Sequence, residues 1–382
     1  MKVLVTGGAG FIGSHTVDRL LEKGYEVRVV DSLEPPVHPQ KIKPDYLSPE
    51  ADFIMADVRD RESMVKALQG IDIVFHLAAY QDYLPDFSKF AFVNDGGTAL
   101  LYEIIVQERL PIRKVLLASS QAVYGEGKYF CDQHLVQYPS PRPLKRLLDS
   151  KWDIECPICG TSMEPQLSDE AHTNPHNQYA ISKLCQELYA LNLGKQYGIP
   201  TIALRYSITQ GPRQSFHNAY SGILRTFTLR LLNNLPPVIY EDGRQLRDYV
   251  NVGDVVRANL LAMETDQAVY ESINVGGTEV MTVLGYAQLL TNMVGSSSNL
   301  DISGQFRFGD TRHIISNTTK LRGLGWEPLT AVKQTAEQYL EWAQRQQGVT
   351  DYYDKAAQRM RDAGVLRLVE ADQIDQSART LR

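Results

Sequence analysis

The sequence predicts an α/β fold, a doubly wound parallel sheet (Rossmann type) joined to a smaller α/β substrate-binding domain. Three observations carry this. Aliphatic runs alternate with stretches of helical length over roughly the first third of the chain, a glycine-rich turn joins the first run to the first helix, and the same rhythm resumes near residue 177.

The runs 2–6, 26–31, 71–75 and 113–118 are unbroken and aliphatic, as strands buried on both faces are. Between them, 11–23, 60–69 and 91–108 have helical length and spacing. The stretch 127–170, rich in Pro, Cys and charge, breaks the alternation. A helix over 177–196 and a strand over 200–206 come next. Beyond them, helices are expected over 218–233, 253–264, 283–293 and 330–346, with strands near 237–240 and 271–275. From about residue 350 the tail is polar and helix-prone, without a clear apolar seam. The chain therefore divides into a dinucleotide-binding unit, 1–205, that carries the inserted segment 127–170. A mainly substrate-binding unit, 206–346, returns some segments to the first, and a tail spans 347–382.

Composition narrows the function classes. A net charge of −6 with both signs mixed offers no basic surface for nucleic acid. No run approaches the ~18 apolar residues of a membrane span. The chain enters Val3-Leu4-Val5 at once, with no basic leader and cleavage site. Four cysteines suit a reducing compartment, so a cytoplasmic protein without nucleic-acid or membrane partners is expected.

Gly7, Gly10 and Gly13 punctuate the turn from the first strand into the first helix. The first permits a tight turn, the second a close approach of backbone to a pyrophosphate, and the third close helix–strand packing. Phe11 and Ile12 open a helix whose N–H groups and dipole favour phosphate. Asp31 ends the second strand, 18 residues past Gly13. A carboxylate there accepts from both ribose hydroxyls and repels a 2′-phosphate, which points to NAD.

Tyr179 and Lys183 stand one helical turn apart. With 20 tyrosines in the chain, a Tyr-x-x-x-Lys spacing is expected about once by chance and is empty alone. Its value comes from Ser119-Ser120-Gln121-Ala122-Val123-Tyr124-Gly125, directly after a buried strand, because doubly wound sheets bind ligands at the carboxyl ends of their strands. A tyrosine has a pKa near 10, and a fixed ammonium favours its phenolate. Ser120 can hydrogen-bond a reacting oxygen.

These motifs, in this order, resemble the extended short-chain dehydrogenase/reductases of the nucleotide-sugar epimerase/dehydratase family. The likeness takes in the glycine turn, Asp31, Asp57-Val58, His76-Leu77-Ala78-Ala79, Asn94, Ser120, Tyr179 and Lys183. It continues through Leu204-Arg205-Tyr206, Gly211-Pro212-Arg213, Gly243 to Val250, Asn274-Val275-Gly276 and Arg307-Phe308-Gly309-Asp310. The resemblance implies NAD contacts from Asp57, Val58, Leu77, Ala78, Ala79, Asn94, Tyr179 and Lys183. It also implies a nucleoside-diphosphate sugar as substrate, with Arg247 and Arg307 on the diphosphate, and a homodimer formed through the helices near 91–108 and 177–196.

Family members share oxidation at C4 of the sugar and differ in the fate of the 4-keto sugar. A 4,6-dehydratase of the family carries an Asp-Glu pair after the Ser/Thr, where this chain has Gln121-Ala122. Reversible oxidation, hence 4-epimerisation, is the expectation; dehydration, decarboxylation, net dehydrogenation and a non-catalytic NAD-binding scaffold are the alternatives. Ile208 stands where the family has a substrate-touching asparagine. Gln81, Asp82 and Tyr83, beside Ser120 and Gln121, are candidates for reading the sugar.

Within the insertion, Cys131-x-x-His134 and Cys156-x-x-Cys159 supply two chelating pairs, with Gly160 after the second. This spacing suits a closed tetrahedral structural zinc site. A redox pair or reduced loop thiols are the other readings, whereas Cys185 reads as a small buried hydrophobe. The insertion is expected to form a zinc-pinned flap or rim beside the sugar pocket.

Overall fold

The computed structural model describes residues 1–218, 222–346 and 349–369. Five strands come from the first 120 residues: β1 (Lys2–Thr6), β2 (Glu26–Asp31), β3 (Asp52–Met55), β4 (Ile73–His76) and β5 (Lys114–Ser120). The insertion contributes β6 (Lys128–Cys131), β7 (Leu135–Gln137) and β8 (Glu164–Gln166), a separate antiparallel sheet with β6 in the middle. The central sheet is completed by β9 (Thr201–Tyr206) and, after β10 (Ile208–Gln210), β11 (Val238–Ile239) and β12 (Leu246–Asn251), by β13 (Glu271–Val275). Its seven strands run in the order β13-β9-β5-β4-β1-β2-β3, all parallel. The order reverses between β1 and β4, which opens a crevice at their carboxyl ends.

Helices cover both faces of this sheet. On one face α1 (Phe11–Glu22) lies against the later α8 (Val252–Glu264), and Val17, Leu20, Val255 and Ala258 join the core there. On the other lie α2 (Arg61–Leu68), α4 (Gly97–Gln107) and α6 (Gln178–Tyr197), burying Met64, Leu101, Ile105 and Ala190. Ahead of α4, the short α3 (Phe87–Phe90) and a π-helical turn, Ala91–Gly96, occupy the start of the helix expected over 91–108. Asn177 caps α6 by accepting from the Ala180 N–H, and this fixes where the Tyr179 turn begins.

A second lobe holds α7 (Ile223–Leu232), α9 (Val283–Val294) and α11 (Val332–Gln344), which share Leu224, Phe227, Tyr286 and Tyr339 with Tyr249 of β12. Smaller pieces are α5 (Leu144–Leu148), α10 (Thr319–Gly323), β14 (Val280–Thr282), β15 (Asp301–Ile302) and β16 (Gln305–Arg307). The expected helix over 218–233 begins at Ile223, and residues 219–221 lie outside the described residues. Among the described residues no helix is long and apolar enough to cross a membrane.

Two expectations need correction. The edge strand β3 escapes detection because Asp52–Met55 is short and none of its residues is fully buried. The tail is not seamless: α12 (Tyr353–Asp362) buries Tyr353, Ala357 and Met360, and β17 (Leu366–Leu368) pairs antiparallel with β16. A spacing of four and then three residues is an amphipathic stripe, hidden by the charged residues between its members.

Candidate active site

The crevice at the strand ends is part of a cavity of about 690 Å³. At one end Gly7 adopts φ +69°, and a Cβ there would stand 2.8 Å from the Ala78 backbone. A Cβ on Gly13 would collide with the Gly7 carbonyl. Both positions thus require glycine, and the turn brings Gly10, Phe11 and Ile12 to the cavity wall beside Gly7 and Gly13. Asp31 is oriented by the N–H groups of Ala9 (3.0 Å) and Leu33 (2.9 Å). Asp57, Val58, Leu77, Ala78 and Ala79 line the same end. The Asp57 carboxyl takes a two-pronged contact from Arg59 (2.9 and 2.7 Å), which holds it below its ordinary range. Arg59 also lines the cavity and belongs to no motif recognised in the sequence.

Asn94, expected at the cofactor, does not line this cavity. Its amide accepts from the Tyr80 N–H (2.7 Å) and donates to the Tyr80 carbonyl and the Ser182 hydroxyl. It is a buried brace that locks the loop after β4 to α6, because both of its amide atoms are consumed.

At the middle of the cavity Ser120, from the end of β5, meets Tyr179 and Lys183 from the first two turns of α6. The Tyr179 phenol oxygen accepts from Gln81 (2.6 Å) and is also hydrogen-bonded with Ser120. Gln81 therefore belongs to the phenol as well as to the cavity wall. Lys183 donates to the Ala118 carbonyl (2.8 Å), with its ammonium 5.9 Å from the Tyr179 ring centre. Burial raises the phenol above 10, although Gln81 and Ser120 oppose this, and burial lowers Lys183 to about 7. The protein's own surroundings thus favour a neutral pair; the expected lowering of the phenol pKa combines the ammonium with the positive charge of bound nicotinamide. Desolvation disfavours both charges, and hydrogen bonding replaces part of what water supplied.

A stability prediction arises for Lys183. Its folded pKa of about 7, against an ordinary 10.5, means that the unfolded chain holds the extra proton between those values. Stability of the protein without added NAD therefore rises with pH across that window. Lys183→Met removes this dependence, so its advantage over the parent should be largest at and below neutral pH and fade toward 10.5. Urea unfolding at neutral and alkaline pH checks this; a constant difference between the two proteins would contradict it.

Beyond the pair, Gln121 and Ala122 line the cavity, and Gln121 is oriented by Ser316 (3.4 Å). No carboxylate occupies either position. Arg247 and Arg307 line the far end. Arg247 donates to the carbonyls of Leu246, Thr311 and Arg312. Arg307 pairs with Asp310 (2.8 Å) and stacks on Tyr83 and Tyr240, at 3.9 and 5.3 Å from their ring centres. Tyr353, Met360 and Val365 of the tail complete this wall. Sequence reasoning missed them because it saw no apolar stripe in the tail. It missed Arg225 because nothing but burial distinguishes that residue.

Cys131, His134, Cys156 and Cys159 converge in the insertion, their ligand atoms all within 4.8 Å of one another. The Sγ atoms of Cys131 and Cys159 are 3.7 Å apart, and His134 Nδ1 lies 3.7 Å from Cys131 and 3.5 Å from Cys156. The insertion is not a rim of the pocket, for residues 127–170 contribute no cavity wall. Charge pairing draws it elsewhere. Arg142 grips Glu241 (2.9 and 2.8 Å) and the Asp310 carbonyl (3.0 Å), while Asp153 meets the fully buried Arg312. The insertion buttresses the strap that carries Arg307 and Asp310.

A family model for the NAD dependent epimerase/dehydratase family matches residues 3–144 and 157–276, skipping part of the insertion. The chain is 31% identical over 349 residues to dTDP-L-rhamnose 4-epimerase of Burkholderia thailandensis, covering 89% of this chain and 94% of that one. A putative UDP-glucose 4-epimerase of Methanocaldococcus jannaschii is 30% identical, with 89% and 97% covered. Among solved structures, UDP-glucose 4-epimerase of Thermotoga maritima with UDP-glucose superposes with a TM-score of 0.73 at 31% identity, covering 90% of this chain and 99% of that one. UDP-glucuronic acid 4-epimerase of Bacillus cereus in complex with NAD gives 0.71 at 25% identity, covering 90% and 98%. The matched stretches run from the glycine turn through the Tyr179 helix to β13, and the chain belongs to the NAD-dependent epimerase/dehydratase family.

Proposed function

We propose that this protein is an NAD-dependent 4-epimerase of a nucleoside-diphosphate sugar. The observation that carries the reading is the phenol of Tyr179, hydrogen-bonded by Gln81 and Ser120 on a cavity wall where Gln121 and Ala122 offer no acid or base for loss of water. The glycine cradle, which a Cβ would fill, and Asp31 fit NAD, with Phe11, Ile12, Asp57, Val58 and Leu77 to Ala79 as its further contacts. When bound, NAD supplies a hydride acceptor and, reduced, the donor.

The chain's own residues do the rest. Ser120 holds the C4 oxygen of the sugar and steadies the charge that builds on it. Tyr179 takes the hydroxyl proton as C4 is oxidised and returns it once the sugar presents its other face. Gln81 donates to the phenol oxygen, which favours the phenolate, and a phenolate in turn favours the ammonium form of Lys183. Arg247 and Arg307 bind the diphosphate; guanidinium planes suit its oxygens. Residues 1–205 with β13 thus hold the cofactor, and 206–346 with the tail hold the substrate. Incubation with a panel of UDP-, dTDP- and GDP-sugars, followed by NMR, tests the reading. Epimers without net NADH are expected; a 4-keto-6-deoxy product or steady NADH accumulation overturns it.

Cys131, His134, Cys156 and Cys159 hold a structural zinc in this reading. About 2.3 Å for Zn–S and 2.05 Å for Zn–N place tetrahedral neighbours roughly 3.6–3.8 Å apart, close to the separations found. The protein works as a homodimer through α4 and α6, a reading supported by the exposed Phe92, Ile181, Leu188 and Tyr189 on and beside those helices. Thiolate ligands for a metal and an unpaired Cys185 suit the reducing cytoplasm.

A further inference from the structure

The cavity holds one arginine that no motif accounts for. Arg225, in the first turn of α7, is 2% exposed and lines the cavity wall. It donates to the Phe216 carbonyl (2.7 Å) and the Thr226 hydroxyl (3.0 Å), while its buried Nε has no partner. Among the described residues no carboxylate pairs with it. Asp351, whose field reaches it, is itself paired with Arg230 at 3.0 Å. Burying a guanidinium without a counter-charge is strongly unfavourable. Bonding a carbonyl and a hydroxyl does not require that charge, because a neutral amide would do both.

Its neighbourhood says what the charge faces. Tyr83 and Tyr240, the rings on which Arg307 stacks, line the same cavity as Arg225. Both arginines therefore face one cavity. The charge of Arg307 is balanced by Asp310 at 2.8 Å. Arg247 donates to backbone carbonyls. Asp82, another acid on the cavity wall, is turned onto the N–H groups of Tyr83 and Leu84. Among the described residues, Arg225 and Arg247 are the two cavity-lining arginines with no carboxylate at ion-pair distance. A sugar-linked diphosphate carries two negative charges.

We propose that Arg225 is a substrate-binding residue that supplies a further positive charge to the diphosphate of the nucleoside-diphosphate sugar. The inference rests on the substrate class proposed above. It adds a contact that the family motifs do not contain. Arg225 joins Arg247 and Arg307 at the diphosphate, and of the three only Arg307 already has a carboxylate partner among the described residues.

The test is calorimetric binding of UDP, dTDP and GDP, which lack the sugar, to the full-length parent, Arg225→Met, Arg225→Gln and Arg225→Lys. For the nucleotide that the parent binds best, the Met and Gln variants should lose about ten- to a hundredfold in affinity. The Lys variant should recover part of it, and the matching monophosphate should lose less. NAD affinity should stay unchanged, and KM for the sugar nucleotide should rise more than kcat falls. Unchanged diphosphate affinity in Arg225→Gln overturns the proposal. So does an equal loss for the diphosphate, the monophosphate and NAD, which marks a structural role, or a loss seen only with a uronic-acid sugar, which marks a carboxylate contact. If the parent binds no nucleoside diphosphate and turns over no sugar nucleotide, the substrate class itself fails with it.

Discussion

Tyr179→Phe should lower turnover of the best sugar nucleotide by about two to four orders of magnitude, the range removed with a positioned general acid–base. The substitution deletes one oxygen, the one that accepts from Gln81 at 2.6 Å. The ring stays packed against Tyr80 and Phe90, so the first turn of α6 keeps its place. NAD should remain bound, because the glycine turn and Asp31 lie on other elements. Steady-state kinetics beside a measurement of bound NAD separate the two effects. A variant retaining more than about a tenth of the parental kcat would remove Tyr179 from the proton-transfer step.

Cys156→Ser should release the metal and loosen the insertion. Bound zinc should fall from one per chain to nearly none, and the melting temperature by roughly 5–10 °C. The segment's own core, Tyr129, Cys131, Ile154, Cys156 and Met163, is too small to organise it unaided, and two of its five members belong to the proposed zinc site. The loss should propagate to the substrate. Arg142 and Asp153 hold Glu241, Arg312 and the Asp310 carbonyl, so KM should rise while NAD affinity holds. Elemental analysis and thermal unfolding measure the first two effects. Full zinc content, or an unchanged melting temperature after its loss, would contradict the structural role.

The central sheet and its glycine turn were legible because their constraints are local. Buried parallel strands write themselves as aliphatic runs, and Gly7 and Gly13 have no alternative to glycine where they sit. The cavity wall that carries Arg225, Arg247 and Arg307 was harder to read. Arg247 and Arg307 were nominated by resemblance, whereas Arg225 looks like any helical arginine until its burial is known. The tail hid its seam because Tyr353, Ala357 and Met360 are separated by charged and polar residues. The bracing of Tyr80 to Ser182 by Asn94 was not legible for a related reason: a motif position does not say which way an amide will spend its hydrogen bonds. The spacing of the Cys and His residues foretold their convergence, but where the insertion packs was decided by long-range pairing of Arg142 with Glu241.

The central claim is reversible oxidation at C4, with the same hydrogen returned to the same carbon. Turnover of a sugar nucleotide carrying deuterium at C4, followed by NMR and mass spectrometry, tests it most directly. Both epimers should keep the label at C4, with none passing to water and no NADH accumulating. Loss of the label to solvent, or its appearance at C6 of a dehydrated product, would contradict it.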